Sequence, residues 1–174
     1  MTIETIKLHL QEAMTWLGRR KDTIFLGQNL LYKGHQMTYS LKFVKKEKII
    51  EMPVAEDMQM GISIGLAMEG FCPITIYPRF DFLILATNQI VNHLDKLSHL
   101  MNISSPPRVI IRTMVGTKYP LDAGQQHTQD HTEAFKLMSS NITIWELNKN
   151  TNFLDAYKEI YHHPKSSLVI EKWQ

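Results

Sequence analysis

Apolar positions along the chain follow a helical period in some stretches and form compact runs in others, and the two kinds alternate. Ile6, Leu10, Met14 and Leu17 fall three or four residues apart, which predicts an amphipathic helix. Gly18 marks its end, with Arg19, Arg20 and Lys21 set against the negative pole of the helix dipole. The run Ile24–Leu26, closed by Gly27, predicts a buried strand. Met37, Leu41 and Val44 share a helical face; Lys45, Lys46 and Lys48 follow as a solvated face, and Ile49–Met52 is a strand stopped by Pro53. Asp57–Met68 reads as a helix rich in small residues (Gly61, Ser63, Gly65, Ala67), ended by Gly70, and Pro73–Ile76 as a strand. The longest helical stretch is Phe80–Met101, with Ile90, Leu94, Leu97 and Met101 on one face, until Pro106 and Pro107 break it before the strand Val109–Ile111. Thr113–Gln126 has two glycines, a proline and no period, so it reads as a loop. A helix over Asp130–Met138, a strand Ile142–Leu147, a helix Asn152–Tyr161 and a strand Ser167–Ile170 complete the chain.

Six strands alternating with helices predict an α/β fold. The expectation is a single three-layer domain over residues 1–174, with an N-terminal helix in 1–22 and a core in 23–174. Its six-stranded sheet is mostly parallel and flanked by helices. Ligands in such sheets gather outside the carboxyl ends of the strands. The segments to search are therefore Gly27–Gly34, Pro53–Glu56, Tyr77–Phe82 and Arg112–His131.

Composition narrows the function classes. The 174 residues carry 19 basic and 17 acidic side chains, a formal net charge of +2, which argues against a strongly basic nucleic-acid binder. No apolar run approaches the ~20 residues of a membrane span. Cys72 is the one cysteine, so a disulfide framework is excluded and a reducing compartment, the cytoplasm, is expected.

Two residues stand where chemistry is done. Glu56 ends Pro53-Val54-Ala55-Glu56, just before the small-residue helix. Enclosure there would fit a carboxylate for sharing a proton with a buried base, whereas a first-turn glutamate stabilised by the helix dipole is the plain alternative. His127 follows the long loop and is placed to donate to an oxyanion or relay a proton. His131 stands four residues on, a spacing that can place two imidazoles on one metal. Thr128, however, occupies the place of the zincin glutamate, and no cysteine or obvious third ligand is near, so no metal ligand is assigned. Glycine-rich phosphate loops are absent. The string Gly61-Ile62-Ser63-Ile64-Gly65 falls within a helix rather than at a strand-to-helix turn, which makes Ser63 a packing residue and not a nucleophile. His162 and His163 read as a dipole-compensating pair at the end of the last helix.

Taken together, several strings resemble a known family. Phe25-Leu26-Gly27-Gln28, Pro53-Val54-Ala55-Glu56, Gly61–Gly70, Phe80-Asp81-Phe82, Gln89-Ile90-Val91-Asn92, Arg112-Thr113, Gly116 and Gln126-His127-Thr128-Gln129 are similar, in order and separation, to the pyrimidine-binding domain of thiamine-diphosphate enzymes. The pattern resembles the amino-terminal half of 2-oxoacid dehydrogenase beta subunits and the pyrimidine domain of transketolases, from about Thr23 onward. The resemblance implies that Glu56 hydrogen-bonds N1′ of the cofactor aminopyrimidine and so favours the tautomer that deprotonates the thiazolium. It implies that Phe80 stacks on that ring, with Phe82 as the alternative two residues on, that Tyr32 lies near the cofactor, and that His127 faces the substrate.

The departures carry implications too. The family holds diphosphate and Mg2+ on a second domain through a GDG sequence, and no GDG occurs here. A GDG-containing partner subunit is therefore expected, with self-association to at least a dimer, a heterotetramer overall, and a small carbonyl substrate. The chain stops at Gln174, where the beta subunits' carboxyl-terminal domain would begin. That favours transferase or lyase chemistry over a complex-bound dehydrogenase; a dehydrogenase beta-like subunit and a non-catalytic regulatory homologue are the alternatives. Gln28 replaces the family glutamate, and Lys118-Tyr119-Pro120-Leu121-Asp122 replaces its glycine-rich loop.

Overall fold

The computed structural model describes residues 1–32, 36–101, 106–118 and 122–173. Six strands form one sheet: β1 (Thr23–Gly27), β2 (Ile49–Glu51), β3 (Cys72–Tyr77), β4 (Ile110–Met114), β5 (Thr143–Asn148) and β6 (Ser167–Lys172). Their order is β2-β1-β3-β4-β6-β5 and every pairing is parallel, so the expected mostly parallel sheet is entirely so. Each expected strand is present, with ends that differ by at most three residues.

Because side chains alternate across a strand, each strand feeds two cores. On one face α1 (Ile3–Gly18), α2 (Gln36–Tyr39) and α7 (Phe153–His162) bury Leu10, Met14, Met37 and Tyr157 against Phe25, Ile74, Ile110 and Val169. On the other, α3 (Glu56–Met68), α4 (Phe80–Leu83), α5 (Leu97–Met101) and α6 (Thr132–Met138) bury Met60, Ile64, Phe80 and Phe135 against Ile111, Leu168 and Ile170. These are the three layers read from the sequence. Thr2 caps α1, its hydroxyl accepting from the Thr5 amide, and Asn152 caps α7 in the same way. Gly70, at φ +91°, supplies the left-handed residue that stops α3.

Two helices differ from their sequence reading. The Met37–Val44 face forms helix only over Gln36–Tyr39. The Ser40 hydroxyl donates to the Met37 carbonyl at 2.5 Å and so competes with the helical ladder. The long stretch from Phe80 is mostly helical but not uniform, with a turn at Asp95 and Lys96. A 3₁₀ turn at Ile84–Ala86 and a π-helical turn at Gln89–Leu94 separate α4 from α5. The wide turn delivers buried Asp95 to the loop after α6, where its carboxylate accepts from the Ser140 and Asn141 amides at 2.9 and 2.6 Å.

Candidate functional site

The chain leaves β1 toward α2 on one face of the sheet and β3 toward α4 on the other, so a crevice opens between their carboxyl ends. The strands approach closely there. A methyl on Gly27 would lie 2.6 Å from the Ile76 carbonyl oxygen, so only glycine fits. Beyond Gly27, the Glu51 carboxylate at the end of β2 accepts from the Asn29 and Leu31 amides and fixes a loop in which Asn29 has φ 59°. Tyr32 follows, 65% exposed; it makes no ring contact or hydrogen bond to the other expected site residues among those described. Lys33 and Gly34 of the Gly27–Gly34 segment lie outside the described residues.

Glu56 opens α3 and is only 7% exposed. Its backbone carbonyl accepts from Tyr77 Oη at 3.1 Å, which ties the start of α3 to the end of β3. One turn on, Gln59 Nε2 donates to Thr75 Oγ1 at 2.8 Å and to the Ile76 carbonyl at 3.1 Å, pinning the same helix face to the same strand. Among the described residues no donor is hydrogen-bonded to the Glu56 carboxylate. It is a nearly enclosed acceptor on a well-anchored backbone, at the positive end of α3.

The two phenylalanines part company. Phe80 is fully buried, its ring 5.5 Å from that of Phe135 and 5.4 Å from that of His131, so its surroundings are core. Phe82 is half-buried, and its ring meets that of His127 edge-on at 5.5 Å. His127 ends a short 3₁₀ turn, Gln125–His127, entered through Gly124 at φ 86°. That turn rests on Gly116, where any Cβ would run into the His127 carbonyl oxygen. Gln129 Nε2 donates to Asp81 Oδ1 at 2.9 Å and holds the segment to α4. The structure thus brings Phe82 and His127 together and turns Phe80 and His131 inward. Among the described residues no three His, Cys, Asp or Glu side chains are grouped to hold a metal. Residues 119–121 of the replaced loop lie outside the described residues.

Arg79 escaped the sequence reading. Its Nη1 donates to the Pro78 carbonyl at 2.9 Å and to Met114 Sδ at 3.3 Å, beside Gly116. Burial lowers its pKa from the ordinary arginine value, against the pull of Asp81. The signal was a cation at the carboxyl end of a buried strand, inside a segment already marked for search.

Comparison with known proteins follows the same outline. Residues 3–173 match the family described as "Transketolase, pyrimidine binding domain", a span that includes α1. The pyruvate dehydrogenase E1 component subunit beta of Staurastrum punctulatum is 27% identical over 132 residues, covering 74% of this chain and 39% of that protein. The 2-oxoisovalerate dehydrogenase subunit beta of Bacillus subtilis (strain 168) is 28% identical over 118 residues, 66% of this chain and 35% of the relative. In folded shape the chain resembles a structure titled "Split gene transketolase, inactive beta4 tetramer", with a TM-score of 0.71 and 15% identity, covering 94% of this chain and 50% of that one. The chain spans well under half the length of these two curated relatives.

Proposed function

Because this chain belongs to the transketolase pyrimidine-binding domain family, we propose that it is the pyrimidine-domain subunit of a split thiamine-diphosphate enzyme that makes or breaks a carbon–carbon bond beside a carbonyl. The observation that carries the reading is the Glu56 carboxylate, enclosed, rigidly backed and without a donor among the described residues. An aminopyrimidine suits this setting: a ring nitrogen can share a proton with Glu56, and the half-exposed Phe82 ring offers an apolar surface for stacking. Thiamine diphosphate, when bound, supplies a nucleophilic carbon for attack on the substrate carbonyl. Glu56 holds or returns the proton at the pyrimidine nitrogen. His127, steadied by Phe82 and Gly116, donates to the oxygen or carboxylate of the substrate. Phe82 is preferred over Phe80 because Phe80 is committed to the core. Tyr32, exposed beyond β1, is the further residue assigned in this reading to the neighbourhood of the cofactor.

The sequence has no GDG, so a GDG-containing subunit would bring diphosphate and Mg2+ to the crevice, in a heterotetramer. Self-association has a surface to use. Val54, just before α3, and Met58 and Ile62 on it are 77%, 46% and 40% exposed, and nothing lies within 4 Å of a Cβ built on Gly65. The reaction is decarboxylation of a 2-oxo acid with acyl transfer, or ketol transfer; the alternative is dehydrogenase beta-like chemistry, the class named in the curated relatives above. The test is coexpression with the GDG-containing chain, native mass spectrometry of the product, and turnover with added thiamine diphosphate and Mg2+. Glu56→Gln should leave assembly intact and lower turnover by at least about 100-fold. Unchanged turnover in that variant overturns the proposal.

A further inference from the structure

A broad cleft lies at the other end of the sheet from Glu56. It encloses about 1060 Å³ along the solvent face of α1, floored by Leu8, Glu12, Thr15, Trp16 and Arg19. The segment from Phe43 to Lys48, which leads into β2, forms one wall, and Leu154 and Lys158 of α7 form the other. The 16 residues of α1 make it roughly 24 Å long.

Its chemistry is lopsided. Arg19, Arg20, Lys21, Lys45, Lys48 and Lys158 line it against two carboxylates, Glu12 and Glu47. That excess of four positive charges is twice the formal charge of the whole chain, so the remaining residues carry a formal net charge of −2. Part of the charge has structural work. Lys48 Nζ donates to the carbonyls of Arg20, Lys21 and Thr23 at 2.7, 3.1 and 2.8 Å, and Arg20 stacks 4.5 Å over Trp16. Arg19 and Lys21 are exposed, with no carboxylate in ion-pair range among the described residues. Dipole compensation at the end of α1 accounts for cations there, but not for the apolar side chains beside them. Leu8 is 50% exposed and Phe43 60%.

We infer that this groove is a docking site for an acidic, amphipathic helical segment of another protein. Its apolar residues cover Leu8, Trp16 and Phe43, and its carboxylates face Arg19 and Lys21, whereas Lys45 and Lys158 already pair with Glu47 and Asp155 at 3.7 and 3.6 Å. A helix matches a trough whose floor is itself a helix and whose length is several turns, and carboxylates match the charge. The site stands apart from the proposed cofactor crevice and does not depend on it.

The experiment uses the full chain and a fluorescein-labelled 18-residue helical peptide with leucines on one face and glutamates flanking them, read by anisotropy. Binding with a Kd below about 100 µM at low salt is expected, weakening at least tenfold with Arg19→Glu/Lys21→Glu and again with Phe43→Ala. Arg19→Gln/Lys21→Gln, with folding checked by circular dichroism, repeats the test should the reversed charges disturb the end of α1. A peptide with lysine for glutamate should not bind. Absence of binding, or binding that ignores these substitutions, overturns the proposal. So does displacement of the peptide by a single-stranded oligonucleotide or by anionic vesicles at lower concentration, which would make the groove a general polyanion site.

Discussion

Glu56 and Glu171 are both buried carboxylates, both near the carboxyl end of the sheet, and they are treated in opposite ways. Glu171, on β6, is wholly enclosed and saturated. Arg112 Nε and Nη2 donate to it at 2.7 and 3.2 Å, Tyr157 Oη at 2.6 Å, and Trp173 Nε1 at 3.3 Å. Arg112 completes its own set by donating to Ser40 Oγ at 2.7 Å. Burial by itself would lower the guanidinium pKa, but the facing Glu171 charge wins and holds it above the ordinary value. Glu56 is also buried, and it has none of these donors among the described residues. A charge buried with every lone pair occupied belongs to the structure; one enclosed with its acceptors uncommitted is available to a ligand, as proposed for Glu56.

That contrast makes its sharpest prediction at Glu171. Glu171→Gln removes the carboxylate charge that faces Arg112 and leaves a guanidinium buried without its counter-ion, at a cost of about 3–5 kcal/mol in a denaturant titration. Glu56→Gln should leave the same titration nearly unmoved. Equal losses in the two variants would erase the distinction.

The two phenylalanines repeat the comparison within one turn of helix. Phe80→Ala empties a packed core site and should cost about 3–5 kcal/mol of stability. Phe82→Ala removes a half-buried ring, about 1 kcal/mol, and should instead weaken thiamine diphosphate binding to the assembled enzyme between roughly twofold and tenfold. Calorimetric titration of both variants separates the roles. A larger affinity loss in a folded Phe80 variant would reverse the assignment.

The same pair shows what the sequence could tell. Two residues apart, Phe80 and Phe82 would share a face in a strand, and the strand-to-helix boundary was not readable to that precision. In the helix that forms from Phe80 they point to opposite sides, one into the core and one toward His127. The six strands and their parallel alternation were legible because each is a short apolar run bounded by a breaker. The Arg112–Glu171 pair was not legible: its partners are 59 residues apart, and Glu171 lies beyond the strand end that the apolar run marks. Nor was the π-helical turn, since a one-residue slip leaves the spacing of Ile90, Leu94 and Leu97 unchanged. Glu56 was visible as a position; that its carboxylate is buried with no donor among the described residues was legible only in three dimensions.

Gly116 tests how firmly His127 is placed. A Cβ there collides with backbone rather than with the flexible end of a side chain, so Gly116→Ala should displace the turn and cost about 1–3 kcal/mol. Turnover should fall further than stability alone explains, with KM rising, while the Arg112–Glu171 network keeps the fold. An alanine variant with unchanged KM would mean that His127 does not depend on this contact.

The smallest effect concerns Asp95, a buried carboxylate of the saturated kind at the opposite end of the sheet from Glu56. Burial works to raise its pKa. The Lys96 ammonium at 2.6 Å and the Asn141 and Ser140 amides outweigh that and hold it below the ordinary value. A depressed carboxyl contributes stability that is fully present above its unfolded pKa of about 3.9 and is lost as pH falls through the lower, folded value. Asp130 and Glu146, both paired with Lys172, shift the same way but sit in solvent, where screening reduces their share. Wild type and Asp95→Asn should therefore differ most in denaturation midpoint near pH 7, and the gap should narrow as the pH drops below 4. A gap that stays constant down to pH 3 would show that Asp95 holds the Ser140 loop by hydrogen-bond geometry alone. Glu171 would then be the one buried carboxylate of the two whose charge stabilises the fold.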